Sequence, residues 1–275
     1  MFDAAPHPPQ MQRALGRAAV SLVLTDRGAR LRTLEQAGSA KAFLPRVHSP
    51  VPEIVFLNTA GGLASGDRLT FGVVAGDGVR LAATTQTAER AYRADHGPAE
   101  VAVNLSLGQG GRIDWLPQET ILYDGASLTR RTRIDLAGEG QVTLCEMIVL
   151  GRAAMGETVS ALRLSDRREV WSRGLPVWID AFGLDDAALA PRPALLAGAR
   201  AIATIALIGQ GAEDAIGPVR SALAAVPGVT GHASGWDGKC VARLSGADGF
   251  HVKRAVARVL GVLRKGAPLP RVWQI

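Results

Sequence analysis

Three glutamates stand inside runs that otherwise read as apolar strand. Glu146 interrupts Val142-Thr143-Leu144-Cys145-Glu146-Met147-Ile148-Val149-Leu150. Glu119 lies in Trp115-Leu116-Pro117-Gln118-Glu119-Thr120-Ile121-Leu122-Tyr123-Asp124, and Glu89 follows Thr84-Thr85-Gln86-Thr87-Ala88. Burying an ionised carboxylate alone is costly, so each needs a basic partner, water or a cation. Arg90, Arg93, Arg130, Arg131 and Arg133 are close in sequence and offer pairing. The other chemistry is a polar path through a β body, where carboxylates and water hold a divalent ion briefly. Paired acids would also serve a carboxylate-dependent hydrolase of the glycosidase type. Nothing in the spacing selects two of them for that role, and aromatic residues for sugar stacking make up only 5% of the chain.

A second chemical feature is Asn58-Thr59-Ala60-Gly61-Gly62-Leu63-Ala64-Ser65-Gly66-Asp67-Arg68, directly after the apolar run Ile54-Val55-Phe56-Leu57. Glycines at this density let backbone N–H groups converge or another surface approach closely. A phosphate-binding loop needs a lysine after its last glycine. Here Asp67 takes that place, and no lysine occurs between Lys41 and Lys239. The loop therefore reads as a tight turn or a partner surface rather than a nucleotide cradle. The strand–turn–helix pattern at Ile208-Gly209-Gln210-Gly211-Ala212-Glu213-Asp214 imitates a dinucleotide fingerprint. Its Glu213 and Asp214 put negative charge at the helix start, where a pyrophosphate would have to sit.

The five histidines, His7, His48, His96, His232 and His251, show no metal-ligand spacing, and no Gly-x-Ser-x-Gly elbow is present. Cys145 and Cys240 each sit in an apolar run and read as buried free thiols. A structural zinc site would need more ligands at short spacing. No tightly bound cofactor is expected. Trp115, Tyr123 and Trp273 are candidates for core packing or for anchoring a partner.

These residues must be held by a chain of 275 residues, 47% of them hydrophobic. The net charge is +6, with arginine far more frequent than lysine. The basic residues are scattered and no stacking platform or recognition motif accompanies them, so nucleic acid is not the expected partner. Arginine also favours protein contacts, and an acidic protein partner is the better reading. The start of the chain lacks the basic and apolar regions of a signal peptide, and no apolar run is long enough to span a bilayer. A soluble, cytoplasmic protein without membrane contact is expected.

From about residue 17 to 183 the pattern is β. Alternation in Arg68–Val73 and Val101–Leu107, with glycine turns at 76–78, 108–111 and 138–140, predicts strand pairs over about 68–85, 99–116 and 126–150. Further strands are expected near 158–164, 168–173 and 176–183. Many short strands suit a sandwich, a barrel or a solenoid. No repeat of fixed length is visible, which weighs against a regular solenoid. Residues 184–200 read as a linker, and about 201–265 as a small α+β portion in the order β-α-β-β-α. Its helices are expected over 212–226 and 248–264, the second capped by Asp248. Residues 1–16, with Pro6, Pro8 and Pro9, read as a disordered tail, and 266–275 as a C-terminal tail.

Five ordered segments, Asn58–Asp67, Thr84–Tyr92, Trp115–Gly125, Leu150–Glu157 and Leu269–Trp273, resemble the urease accessory protein family UreD, also called UreH. The resemblance runs from about residue 54 to the end. It implies a single domain over 17–275, mainly β, with a β-helix-like body and two helices near the C-terminus. It also implies a maturation chaperone without catalytic residues of its own. Such a chaperone binds UreF, recruits the GTPase UreG and docks on apo-urease so that nickel reaches the buried active site. Nickel in transit through an internal, water-filled route would give the embedded acids a role. Asp67, Glu89, Glu119, Asp124 and Glu146 are the candidates for lining it, and Gly61, Gly62, Trp115, Tyr123 and Trp273 for meeting partners. Oxygen ligands suit a cation that must be released again.

Overall fold

The three expected strand pairs form, but the two strands of a pair never bond to each other. They belong to two different sheets, with the glycine turn carrying the chain across. The computed structural model describes residues 13–46, 49–190, 192, 196–224 and 226–273. The chain begins with a hairpin of β1 (Leu15–Thr25) and β2 (Gly28–Gly38), followed by β3 (Ala40–Phe43) and β4 (Glu53–Asn58). It then winds through β5 (Arg68–Ala75), β6 (Arg80–Thr85), β7 (Glu89–Ala91), β8 (Ala99–Leu107), β9 (Arg112–Trp115) and β10 (Thr120–Leu122). β11 (Ala126–Leu136), β12 (Gln141–Leu150), β13 (Leu162–Ser172) and β14 (Leu175–Leu184) complete the winding.

One sheet runs β14-β13-β11-β8-β5-β1-β2, with its five central strands parallel and an antiparallel strand at each edge. The other carries β3, β4, β6, β9 and β12, and the short strands β7 and β10 join it beside β12. Successive turns thus stack in register, a β-solenoid-like arrangement. The turns differ in length. Arg68 lies opposite Glu100, 32 residues on, whereas Ala99 lies opposite Leu128, 29 on, and Ala126 opposite Leu162, 36 on. Loops absorb these differences while the strands keep step, which hides the repeat from a search at fixed period.

Inward positions alternate along each strand. Leu69, Phe71, Val73 and Ala75 of β5 pack above Val103, Leu105 and Leu107 of β8, and all are buried. Parallel ladders of this kind are stabilised by apolar cover on their inner face. The runs expected near 158–164 and 168–173 form one strand, β13, because Ser165–Arg167 continue its pairing with β11. β1 starts at Leu15, so the last two residues of the expected tail are strand; residues 1–12, His7 among them, and His48 lie outside the described residues.

The C-terminal part continues the second sheet. β15 (Ala201–Ile208) pairs antiparallel with β12, and after α1 (Ile216–Ala224) the hairpin of β16 (Val229–Trp236) and β17 (Lys239–Gly246) extends it. α1 is preceded by a 3-10 turn at Ala212–Ala215, which takes up the start of the expected helix. α2 (Gly249–Leu263) is capped by the Asp248 carboxylate, which accepts from the Phe250 N–H at 2.7 Å. Val252, Val256, Val259, Leu260 and Leu263 of α2 press on the outer face of the sheet, against Cys145, Met147 and Ile205, forming a second core. Both cysteines are buried and unpaired. Among the described residues no helix is long and apolar enough to cross a membrane.

Candidate functional site

A polar layer crosses the interior of the solenoid at one level. In β11 the inward positions read Leu128, Arg130, Thr132, Ile134; in β13 they read Leu164, Asp166, Arg168, Val170. Parallel register sets Arg130 opposite Asp166 and Thr132 opposite Arg168. Arg168 is in turn opposite Asp180 of β14. The facing sheet contributes Glu146 of β12, whose register partner is Thr204 of β15. Alternation along each strand therefore brings these charges together without any loop to position them.

The contacts form a chain. The Arg130 guanidinium donates to both oxygens of Asp166, at 3.0 and 2.7 Å, and to Thr120 Oγ1 at 3.1 Å. It also meets Glu146 Oε2 at 2.8 Å. The Trp115 indole N–H donates to Glu146 Oε1 at 3.1 Å. Asp166 then faces Arg168 at 3.5 Å, Arg168 faces Asp180 at 3.4 Å, and Asp180 accepts from Arg243 of β17 at 2.7 Å. All but Arg243 are buried. Burial opposes the charge on Arg130, but Asp166 and Glu146 outweigh it and hold its pKa above the ordinary value. Burial also raises Glu146, more than Arg130 can restore, whereas Asp166 is held below the usual range because its bonds to Arg130 overcome its burial. Of the two acids that Arg130 holds, Glu146 is the one shifted toward its protonated form. Thr132 Oγ1 and Arg168 Nε are buried with no hydrogen bond.

Two small cavities are lined by this layer, and a third shares Glu89 with the first. One of about 40 Å³, room for a few waters, is lined by Glu89, Trp115, Gln118, Thr120, Arg130 and Glu146 among apolar side chains. Another of about 50 Å³ lies toward the glycine loop, against Asn58, Gly61, Thr85, Glu89 and Arg90. The smallest, about 10 Å³, is lined by Glu146, Asp166, Arg168, Phe182 and Thr204. Glu89 is a wall common to the first two, and Glu146 to the first and third. Glu89 is half-buried; its carboxylate accepts from the Arg90 N–H at 3.1 Å and from the Asn58 amide at 3.5 Å. Burial nevertheless pushes its pKa up to about 7.

The other acids picked out from sequence sit elsewhere. Asp67 lines none of these three cavities; it accepts from the Ala14 and Ala64 N–H groups at 2.7 and 2.8 Å and so ties the glycine loop to the start of β1. Asp124 accepts from Ser160 N and Oγ and from Ala161 N, bonds that lower its pKa, and pairs with Arg93 at 2.6 Å. Glu119 is held by Lys253 of α2 at 2.9 Å. Lys253 also donates to Gln118 at 2.7 Å and lies over the Trp273 ring, while the Trp273 indole donates to Leu116 O at 3.0 Å. The C-terminal segment is thereby strapped to the loop that walls the central cavity. Among the described residues, no three His, Cys, Asp or Glu side chains converge as a metal site.

The glycine loop, β7, β10 and the turn after β12 stack as a third ladder. Leu63 bridges Ala91, which pairs with Leu122, which pairs with Leu150. One residue further on, Tyr92 and Tyr123 pack edge to face at 5.1 Å, and the Arg152 guanidinium lies over the Tyr123 ring at 4.5 Å. The Tyr92 hydroxyl donates to Gly61 O at 2.9 Å. A Cβ on Gly62 would fall 2.3 Å from the Tyr92 ring, whereas one on Gly61 would meet nothing within 4 Å. Gly61, Gly62 and Tyr123 thus share one surface. Trp115 does not join it: only 2% exposed, it belongs to the core and serves Glu146, so it is no partner contact in this fold.

The arginine and aspartate members of the layer, Arg130, Asp166, Arg168 and Asp180, were not picked out as site residues from sequence, although Arg130 was foreseen as a partner for the acids. Strand parity holds the signal for the others: Asp166 and Arg168 share the parity of Leu162, Leu164 and Val170 in β13, and Asp180 that of Trp178 and Leu184 in β14.

The family model for UreD urease accessory protein matches residues 15–274. The chain is 54% identical over 266 residues to urease accessory protein UreD of Cereibacter sphaeroides, covering 96% of each. It is 52% identical over 277 residues to that of Paracoccus denitrificans, covering 100% of this chain and 97% of the relative. With the Rhizobium leguminosarum bv. trifolii protein of the same name the identity is 44% over 266 residues, 96% of each.

Proposed function

This chain belongs to the UreD family of urease accessory proteins, and from that premise we propose that it is a non-catalytic maturation chaperone of the cytoplasm. It binds UreF, and through it UreG, and docks on apo-urease while nickel passes to the urease active site. The observation that carries this reading is the shared lining: Glu89 lines two of the cavities and Glu146 two, so these acids stand along a row of small cavities from the glycine loop to the charged layer. Carboxylates and waters along such a row bind a hydrated divalent cation weakly enough to let it go. Glu89 and Glu146 are its acids; Glu119 stands beside the roof of the central cavity, while Asp67 and Asp124 act on loop geometry.

Nickel is cargo here, not a resident cofactor. Arg130, Arg168 and Arg243 balance Glu146, Asp166 and Asp180 while no metal is present, and this prevents a permanent ion trap. Partner binding falls to the ladder of Gly61, Gly62, Tyr92, Tyr123 and Arg152, where aromatic rings and an arginine stand beside open backbone. Trp273 contributes by holding the C-terminal strap.

The test is maturation of urease with and without this chain, with UreF and UreG present and nickel limiting. Metal content of the purified urease should collapse without it, and tagged chain should co-purify with UreF. Urease that loads nickel normally in its absence would refute the reading.

A further inference from the structure

The two sheets do not end together. Asp180 of β14 bonds to Arg243 of β17, and Val241 of β17 lies in the solenoid core, so the last strand of the first sheet faces β17. The second sheet goes one strand further, to β16. Thr230, His232, Ser234 and Trp236 of β16 are the register partners of Ser245, Arg243, Val241 and Lys239. They stand on the side of the sheet that β17 turns toward the core, yet all four are exposed.

The backbone of β14 is open beneath this overhang. The Leu162 N–H donates to Asp186, just past β14, at 2.8 Å, while Ala161 O accepts from the Gly125 N–H, just before β11, at 2.7 Å. Even residues of β13 therefore turn their peptide groups toward β14, and odd ones toward β11. Leu184, Phe182 and Asp180 pair with Leu164, Asp166 and Arg168, so the peptide groups of Ile179, Ala181 and Gly183 point away from the sheet. All three residues are exposed, and among the described residues no hydrogen bond uses these groups. Pro176 and the bulge at Val170/Trp171 block pairing at one end and leave 178–184 free.

We propose that β14 takes up one more strand, an extended acidic segment of a partner protein that lies beside β14 and beneath β16. Such a strand sits about 4.8 Å from β14 and about 10 Å from the sheet above it. Main-chain bonds to Ile179, Ala181 and Gly183 hold it, and alternate side chains select it. The overhang is one strand wide, and this fixes the kind of occupant. A second copy of this chain does not fit. Joining β14 to β14 would put the copy's β17, which covers its own β14, where β16 already stands. The overhang thus guards an open edge against self-association and admits a single tail or loop. Charge fixes the composition. The only charged residues of β16 and β17 are Lys239 and Arg243, and Arg243 keeps 61% of its side chain exposed while it holds Asp180. Guest side chains turned to that face are therefore acidic, and those turned outward, beside Ile179 and Ala181, are apolar.

This docking uses neither the glycine-loop ladder nor any metal, so it stands or falls apart from the maturation role. The probe is a fluorescein-labelled peptide of four valine–glutamate repeats, titrated into the full-length chain and read by anisotropy. It should bind at least tenfold more tightly than the matching valine–lysine peptide, and salt should weaken it. Two further versions are N-methylated at every valine or at every glutamate. Only one edge of the guest meets β14, so one version should keep its affinity and the other lose it tenfold or more; this arm needs no variant to fold. Ala181→Pro removes an outward N–H without touching a bond to β13 and should weaken binding likewise, and Lys239→Gln should cost about threefold. Equal affinity of the two methylated versions, or no preference for glutamate over lysine, overturns the proposal.

Discussion

Arg130 and Asp166 face each other across neighbouring parallel strands and meet through two hydrogen bonds of 3.0 and 2.7 Å, deep between two sheets. The same guanidinium holds Glu146 from the opposite sheet. One arginine therefore joins the two walls of the solenoid at its polar layer. Buried pairs contribute little net stability when compared with apolar packing, but losing one partner leaves a bare charge.

Arg130→Met should accordingly destabilise the fold by about 3–5 kcal/mol, because Glu146 and Asp166 are left facing each other. Urea unfolding measures it. Adding Glu146→Leu and Asp166→Leu should restore most of the loss, by removing the stranded acids. A triple variant no more stable than Arg130→Met would mean that the arginine acts by packing alone.

Glu89 ties stability to pH. Its folded pKa, about 7, lies above the ordinary carboxylate value of 4.5, so the folded state binds the proton more tightly. The stabilisation this brings is complete below about pH 4.5 and is lost as pH rises through 7. Burial is the main cause; the Arg90 N–H, the Asn58 amide and the Arg90 charge pull the other way, and Asp67 adds to the rise. Relative to wild type, Glu89→Gln should gain about 1–2 kcal/mol between pH 5 and pH 8, less than the full shift implies because solvent reaches the side chain. Parallel stability curves for the two proteins would contradict this.

The glycine loop separates folding from binding at adjacent positions. Gly61→Ala meets no neighbour but has φ +78°, so it should cost about 1 kcal/mol of stability. Its new methyl points into the space where a partner would lie, and UreF affinity should fall tenfold or more. Gly62→Ala strikes the Tyr92 ring and should lose both stability and binding. Thermal melts beside surface-immobilised binding distinguish them; full UreF affinity for Gly61→Ala would remove this loop from the interface.

Trp273→Ala removes the indole bond to Leu116 and the ring beneath Lys253. Hydrogen exchange at 116–119 should quicken at least tenfold, with the strands of the first sheet unaffected. Unchanged protection there would show that the strap does not hold the loop.

The strands, both helices and the Asp248 cap were legible because alternation, turn glycines and capping chemistry are local. The stacking was not. Turns 29 to 36 residues apart carry no fixed period, and whether a strand bonds to its neighbour in sequence or to the next turn depends on distant contacts. Glu146 stood out because it breaks a continuous apolar run. Asp166 and Arg168 escaped notice because β13 also bears charges on its outer face, such as Arg163 and Arg167, and a mixed strand conceals which parity points inward. Asp67 misled for a different reason. An acid in a glycine loop can bind a cation or two backbone amides, and the composition of the loop is the same for both.

Passage of nickel past Glu146 is the central claim, and Glu146→Gln tests it most directly, since the amide keeps the shape and the Trp115 bond but discards the charge. With UreF capture confirmed as intact, urease matured at limiting nickel should carry several-fold less metal and activity than with wild type. Full nickel loading at the wild-type rate would contradict the account.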